Sequence, residues 1–286
     1  MKYNTEWKDY KLIATGNGEK LEKFGKVTLL RPDPQVIWTP PFVLNQYKGL
    51  DAVYSRSSSG GGFWDSKNVP EKFYVNWRNL KFELKLMGFK HTGVFPEQAV
   101  NWDRMIKSIE SAGREISVLN LFGYTGGATL ACISAGAKVC HVDAAKAMCE
   151  TAKNNVKLSN LDETKARFII DDCIKFCERE IRRGHVYDAI IMDPPSYGRG
   201  PKGEMWKLED GIFDLVKLTT GLVSKNPLFY LINSYTTGLQ PTVMKNILEK
   251  NFSDIPHVTD ADEIGLLGED GIVLPCGCSA YMEFEN

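Results

Sequence analysis

The chain has 286 residues, 43% of them hydrophobic and 25% charged, with a formal net charge of −1. That balance excludes a disordered polyelectrolyte and leaves room for one sizeable core with a smaller unit beside it. No apolar run approaches the roughly 20 residues that span a bilayer, and the start, MKYNTEWKDYKLIATGNGEK, lacks the apolar stretch of a signal peptide, which points to a cytoplasmic protein with no membrane partner. Seven cysteines, an odd number, fit reduced thiols. Cys276-Gly277-Cys278 is too tight for a zinc finger, so no metal site is expected.

Residues 1–90 carry 15 Lys and Arg against 9 Asp and Glu, and the remainder 20 against 27. Such a surplus can face phosphates or be no more than a solvated surface. The short runs KVTLLR, QVIWT and KFYVNW stand between GNGE, RPDP, TPP and SSSGGG, which predicts a small β-rich domain over residues 1–85 with a role in substrate recognition. Within it YSRSSSGGGFW, Tyr54–Trp64, reads as a nest of backbone amides with Arg56 as clamp, or as a hairpin tip or linker.

From residue 86 to 286 a second domain is expected. After residue 110 apolar runs alternate with amphipathic stretches, the mark of βαβ units and a mostly parallel sheet. Strands are predicted over 116–121, 138–142, 166–170, 187–192 and 228–233. Helices fall over 127–135, 145–159, 173–183, 208–223 and 240–251. Two further strands follow at 253–259 and 279–284, the last reached through a turn at PCGCS.

The first predicted strand ends in a turn rich in glycine. Gly123, Gly126 and Gly127 let the chain reverse sharply into a helix, and Asp143 ends the next strand 20 residues after Gly123. In a doubly wound sheet this sets a ligand over the carboxyl ends of the strands, with a carboxylate aimed at ribose hydroxyls. The spacing Gly-x-x-Gly-Gly differs from the Gly-x-Gly-x-x-Gly that admits a pyrophosphate, and Phe122 and Tyr124 crowd the turn. S-adenosylmethionine fits better than NAD; a turn with no ligand is the plain alternative. The fourth strand runs directly into Asp193-Pro194-Pro195-Ser196-Tyr197. Two successive prolines donate no N–H, so they end the ladder and hold their carbonyls rigidly at the crevice.

Together NLFGYTGGATLA and DPPSYGRG resemble the class I S-adenosylmethionine-dependent methyltransferases, and more closely the branch that contains the bacterial large-subunit ribosomal RNA methyltransferases. GFKHTGVFPEQAVNW, Gly88–Trp102, is similar to the segment of that branch that folds over the methionine end of the cofactor. The resemblance covers roughly residues 85–235. It implies a seven-stranded Rossmann-like sheet, mostly parallel with the last strand antiparallel, S-adenosylmethionine as cofactor and S-adenosylhomocysteine as product. Asn120, Phe122, Gly123, Tyr124, Thr125 and Gly126 would line the methionine side, Asp143 hold the ribose, Ala144 lie beside the adenine and Asp172 receive its amino group. Phe95 and Gln98 would close the pocket, and Asp171 would be structural.

Asp193, Pro194 and Pro195 would face the methyl group and the acceptor. In related Asp/Asn-Pro-Pro-aromatic amino methyltransferases an aromatic stacks on the acceptor base; here Ser196 takes that place and Tyr197 comes one residue later. The expected acceptor is a nitrogen or oxygen of RNA, ribosomal RNA or its precursor. Tyr197, Arg199, Lys202, Trp206 and Lys207 would supply stacking and phosphate contacts. A lid loop GRGPKGEMW over a small molecule or protein side chain is the other reading, and a non-catalytic cofactor-binding module a third. Relatives that methylate carbon 5 of cytosine carry a cysteine after the fifth strand or beside the Pro-Pro element. Here those stretches read LINSYTTG and DPPSYG, so transfer without a covalent enzyme–base adduct is expected.

Overall fold

The computed structural model describes residues 1–57, 61–67, 69–199 and 205–285. The chain divides into two units: Met1–Lys2, Val100–Ile264 and Cys276–Asn286 form one, Tyr3–Ala99 with Gly265–Pro275 the other. A two-residue strand, β1 (Lys2–Tyr3), comes first. In the N-terminal unit β2 (Tyr10–Gly16), β3 (Glu19–Phe24), β4 (Val27–Pro32), β5 (Ala52–Arg56) and β6 (Gly62–Ser66) form one sheet in that order. All its pairs are antiparallel save β4 with β5. β7 (Phe73–Trp77) and β8 (Leu80–Leu84) make a separate hairpin. Ile13, Ala14, Leu21, Leu30 and Leu44 form a core on the larger sheet.

Two expectations for this unit are revised or narrowed. Gln35–Thr39 is not a strand. Pro34 and Pro40 remove donors on both sides, and the segment instead crosses the β2–β3 turn, where the carbonyls of Val36 and Trp38 accept the N–H groups of Gly18 and Asn17 at 2.6 and 2.8 Å. Tyr54–Trp64 belongs to the β5–β6 hairpin, closed by Ser57 N–H on Gly61 O; Ser58–Gly60 of the expected nest lie outside the described residues. Residues 86–99, assigned to the second domain from sequence, are tied to the N-terminal unit. Lys85 N–H donates to Thr92 O, Met87 N–H to His91 O and the Trp7 indole to Pro96 O.

A buried ion pair organises this unit. Arg31 grips Glu22 with two donors, Nε to Oε2 at 2.7 Å and Nη2 to Oε1 at 2.9 Å, and Tyr10 O–H donates to the same carboxylate at 2.9 Å. Burial pushes the Glu22 carboxyl up, but Arg31 and Lys20 outweigh it and bring it down to about 2. Arg31 also donates to the carbonyl of Lys90 at 3.0 Å, so the pair fixes the 88–98 segment as well as the sheet.

The other unit follows the expected alternation: α1 (Ala99–Ser111), β9 (Ser117–Leu121), α2 (Gly127–Ser134), β10 (Lys138–Asp143), α3 (Lys146–Leu158), β11 (Ala166–Ile170), α4 (Cys173–Arg183) and β12 (Ala189–Met192). A small hairpin, β13 (Tyr197–Arg199) with β14 (Met205–Lys207), precedes α5 (Leu208–Thr220), β15 (Phe229–Ser234), α6 (Pro241–Asn251), β16 (His257–Leu267) and β17 (Val273–Phe284). The sheet order is β1-β16-β17-β15-β12-β9-β10-β11, parallel from β15 to β11 and antiparallel at β15–β17. An α/β fold on a large, mostly parallel sheet is therefore present, with β1 as an eighth strand. Leu119, Leu121, Val142, Phe176, Ile190, Met192, Leu215 and Ile232 belong to the core on one face.

Two features differ from the sequence reading. Helix α1 was not anticipated, although Trp102, Met105, Ile106 and Ile109 recur at helical spacing and are all buried. The last two strands are longer than expected, and Pro275–Ser279 lies inside β17 instead of forming its approach turn. Pairing of β17 with β15 stops at Cys278 opposite Ser234, so Pro275 stands where no donor to β15 is needed.

Removing Arg31 would strand Glu22 as a buried charge. Arg31→Met should destabilise the protein by about 3–5 kcal/mol in urea titration at neutral pH. Because the folded Glu22 value of about 2 lies below its ordinary 4.5, the contribution of the pair is complete above pH 4.5 and is lost as pH falls towards 2. The variant should lose that acid dependence.

Candidate active site

The strand order reverses between β9 and β12: the chain moves from β9 outward through β10 and β11, then returns to β12 on the other side of β9. Ligands of open α/β sheets bind in the crevice beyond the carboxyl ends of strands at such a reversal. Leu121 pairs with Met192 in parallel register, so Phe122 and Asp193 leave the sheet side by side.

The turn after β9 is held under strain. Phe122 and Tyr124 both adopt left-handed backbone, with φ of +57° and +49°, a conformation costing on the order of 1 kcal/mol or more per non-glycine residue. Three hydrogen bonds hold the loop there. Gly123 N–H donates to Val142 O at 3.0 Å, Gly126 N–H to Gly123 O at 3.0 Å, and Tyr124 N–H to Asp143 Oδ2 at 2.9 Å. Buried Asn155 of α3 adds a donor to Thr125 O at 3.0 Å. Gly126 has φ +91°, and a Cβ on Gly123 would meet the His141 imidazole at 2.4 Å.

Asp143 therefore serves the fold and the crevice together. Its second oxygen accepts from Ala145 N–H at 2.8 Å. Burial raises its carboxyl above the ordinary aspartate range, while the N–H groups of Ala145 and Tyr124 act in the opposite sense without cancelling the rise. Ala144 beside it is exposed. Asn120 is buried and donates to Thr129 Oγ1 at 2.9 Å, which in turn meets His141 Nδ1 at 2.9 Å. Burial lowers His141 to about 4, so the imidazole is neutral. His141 and Asn155 were missed from sequence. The signal for His141 was a polar residue in the apolar run KVCHV.

Of the paired acids after β11, Asp171 forms an ion pair with Arg179. Asp172 caps α4 by accepting Lys175 N–H at 2.9 Å. Phe95 and Gln98 fall in the N-terminal unit.

On the other side of the reversal, Asp193 is partly buried, Pro194 buried, and Pro195, Ser196 and Tyr197 exposed. The Trp206 indole N–H donates to Pro195 O at 2.8 Å and Leu208 N–H to Ser196 O at 3.1 Å. Thr236 O–H donates to Ser196 Oγ at 2.6 Å. Tyr197 O–H donates to Met205 Sδ at 2.7 Å across the β13–β14 hairpin. Lys202 and the Arg199 side chain lie outside the described residues. The arrangement sets a half-buried carboxylate, a tight turn and a rigid carbonyl-bearing element side by side. These fit a sulfonium nucleoside.

Residues 26–251 match the S-adenosylmethionine-dependent methyltransferase family. Ribosomal RNA large subunit methyltransferase I of Serratia proteamaculans is 36% identical over 174 residues, 60% of this chain and 42% of that protein. Its counterpart in Aliivibrio fischeri is 30% identical over 137 residues, 48% and 34% of the two chains. The chain thus spans less than half the length of these relatives. A solved SAM-dependent methyltransferase from Agrobacterium tumefaciens is 33% identical with a TM-score of 0.92, covering 98% of this chain and 92% of that one. A second solved chain, complexed with SAH, is 19% identical with a TM-score of 0.78 over 98% and 76%, a likeness of fold alone.

Asp143→Ala should weaken S-adenosylhomocysteine binding by roughly 1–3 kcal/mol, the cost of leaving buried polar partners unsatisfied. Calorimetry on the variant and the parent measures this, and NAD should give no heat with either. Unchanged affinity would remove the ribose role from Asp143.

Proposed function

Because the chain belongs to the S-adenosylmethionine-dependent methyltransferase family, we propose that it transfers a methyl group to a nitrogen or oxygen of an RNA base or ribose, with ribosomal RNA as the favoured acceptor. The observation that carries this reading is the Leu121–Met192 register, which brings the glycine turn and the Asp193-Pro194-Pro195 element to one crevice. The names of the curated relatives support RNA as the substrate class. A cytoplasmic setting is part of the same proposal. Among the described residues, no helix is long and apolar enough to cross a membrane.

When bound, S-adenosylmethionine supplies a methyl group on a sulfonium, which needs no acid to leave. The protein's task is then to hold an acceptor lone pair in line and to exclude water. Asn120 and Phe122–Gly126 would hold the methionine side, Asp143 the ribose hydroxyls, and Ala144 and Asp172 the adenine. Asp193 orients the acceptor, and the two prolines keep the adjoining carbonyls fixed because neither can donate to a strand ladder.

Thiol chemistry is not part of the proposal. Cys278 lies across from Ser234 at the end of β15, buried, with its Sγ on Leu239 O at 3.0 Å. Burial pushes that thiol up to about 11, whereas attack on a cytosine ring needs a thiolate.

Incubation of the protein with labelled S-adenosylmethionine and fractionated cell extract should place the label in RNA; label confined to protein or small molecules would overturn the acceptor class. Asp193→Ala should lower turnover about a hundredfold with cofactor affinity within a few fold, the pattern of an interaction made mainly in the transition state. Equal losses in both would make Asp193 a cofactor ligand instead. RNA containing 5-fluorocytosine should form no denaturation-resistant complex. A complex abolished by Cys278→Ser would show a nucleophilic cysteine.

A further inference from the structure

His141 has no task in the proposed chemistry, and the fold leaves one of its ring nitrogens without a partner. The residue stands on β10 directly opposite Asn120 of β9, with the Phe168 ring of β11 5.2 Å away on its other side and Gly123 packed on its edge. It is fully buried, and among the described residues nothing pairs with Nε2. An unpaired buried polar atom carries a cost that an apolar side chain of similar size would avoid. The other nitrogen supplies the reason for an imidazole at this place.

The hydrogen bonds that end on Nδ1 have one consistent direction. Asn120 Nδ2 donates to Thr129 Oγ1 at 2.9 Å, and the same oxygen stands 2.9 Å from His141 Nδ1. An amide nitrogen offers no lone pair, so the single hydroxyl proton of Thr129 goes to Nδ1. Burial keeps the imidazole neutral, and its one proton is therefore on Nε2. The opposite tautomer would donate from Nδ1 to Thr129, turn the hydroxyl proton towards Asn120 and favour an amide rotated end for end. In the observed sense Asn120 Oδ1 accepts from none of the described residues and is not sealed from solvent. We propose that His141 and Thr129 are positioning residues for cofactor binding, which together hold the Asn120 amide with its oxygen, not its nitrogen, presented to the ammonium group of the methionine moiety. An ammonium has donors and no acceptor, so a rotated amide would set donor against donor. The assignment rests on the placing of Asn120 at the methionine side and is independent of the methyl acceptor.

Two ligands separate positioning from packing. S-adenosylhomocysteine carries the ammonium, whereas 5′-methylthioadenosine keeps the adenine, ribose and sulfur without it. Thr129→Val removes the hydroxyl at nearly constant shape. It should weaken S-adenosylhomocysteine about tenfold, as expected for loss of a hydrogen bond to a charged group, and change 5′-methylthioadenosine by less than about twofold. Thr129→Ser keeps the hydroxyl and should return the affinity to within about threefold of the parent. His141→Leu should behave as Thr129→Val does, and His141→Asn, whose amide oxygen stands in for Nδ1, as Thr129→Ser does. Unaltered binding of 5′-methylthioadenosine also reports that each variant is folded. On the parent protein, NMR of isotope-labelled histidine should place the His141 proton on Nε2, both free and with S-adenosylhomocysteine bound. A proton on Nδ1 in the complex overturns the assignment, as does equal loss of both ligands, or of neither, in Thr129→Val. Asn120→Ala tests the premise apart from the relay. If it leaves S-adenosylhomocysteine affinity unchanged, the placing of Asn120 falls and takes the assignment with it; if it weakens binding while Thr129→Val does not, the placing stands and the relay alone falls.

Discussion

The candidate site depends on one strand register. Leu121 and Met192 end two parallel neighbours at the same level, and β10 is locked to β9 through Val142 opposite Leu121. Three chain segments therefore emerge at one height: the Phe122–Gly126 turn, Asp143 and Asp193. A slip of one residue would turn every side chain of a strand to the opposite face. The apolar pattern forbids that, since Leu119, Leu121, Val142, Ile190 and Met192 all belong to a single core cluster. Packing far from the crevice thus decides where the crevice chemistry stands.

What the register delivers, the turn stores as strain. Two non-glycine residues in left-handed backbone within a span of three are costly, and the cost is offset by hydrogen bonds whose partners sit on the neighbouring strand and helix. Asp143 is the central case. A carboxylate raised by burial would be a poor structural group by itself, but with backbone donors on both oxygens it holds the turn and remains at the rim of the crevice. The neutral Asn120–Thr129–His141 chain beneath the turn supplies support of the same kind without a charge.

Much of this was legible in the sequence, because the signals are local. Alternation of apolar runs gave the βαβ order, the glycines marked the turn, and Asp-Pro-Pro marked the end of β12. What escaped was set by distant partners. Gln35–Thr39 has the composition of a strand but is captured by the β2–β3 turn through two backbone bonds. Pro275 looks like a stop and is tolerated because β17 outruns its neighbour. Helix α1 was missed for a different reason: its apolar stripe was readable, but it continues without a break from the Pro96–Gln98 turn.

The two sides of the crevice are built by different physical means, and the difference bears on how an acceptor is held. The turn after β9 is fixed by backbone bonds to neighbouring elements, so its shape is settled before any ligand arrives. The Asp193–Ser196 element loses conformational freedom through two prolines and is then pinned at successive carbonyls by an indole and a helix N–H. Ordering entropy that would otherwise oppose the transition state has thus been spent in folding, which is how positioning accelerates a transfer that needs little acid–base help. The cysteines fit the same logic. Burial holds the thiols of Cys140, Cys149 and Cys278 at about 11 and that of Cys177 at about 12, so these four are protonated. In a chain whose proposed task is placement, these four thiols supply no nucleophile.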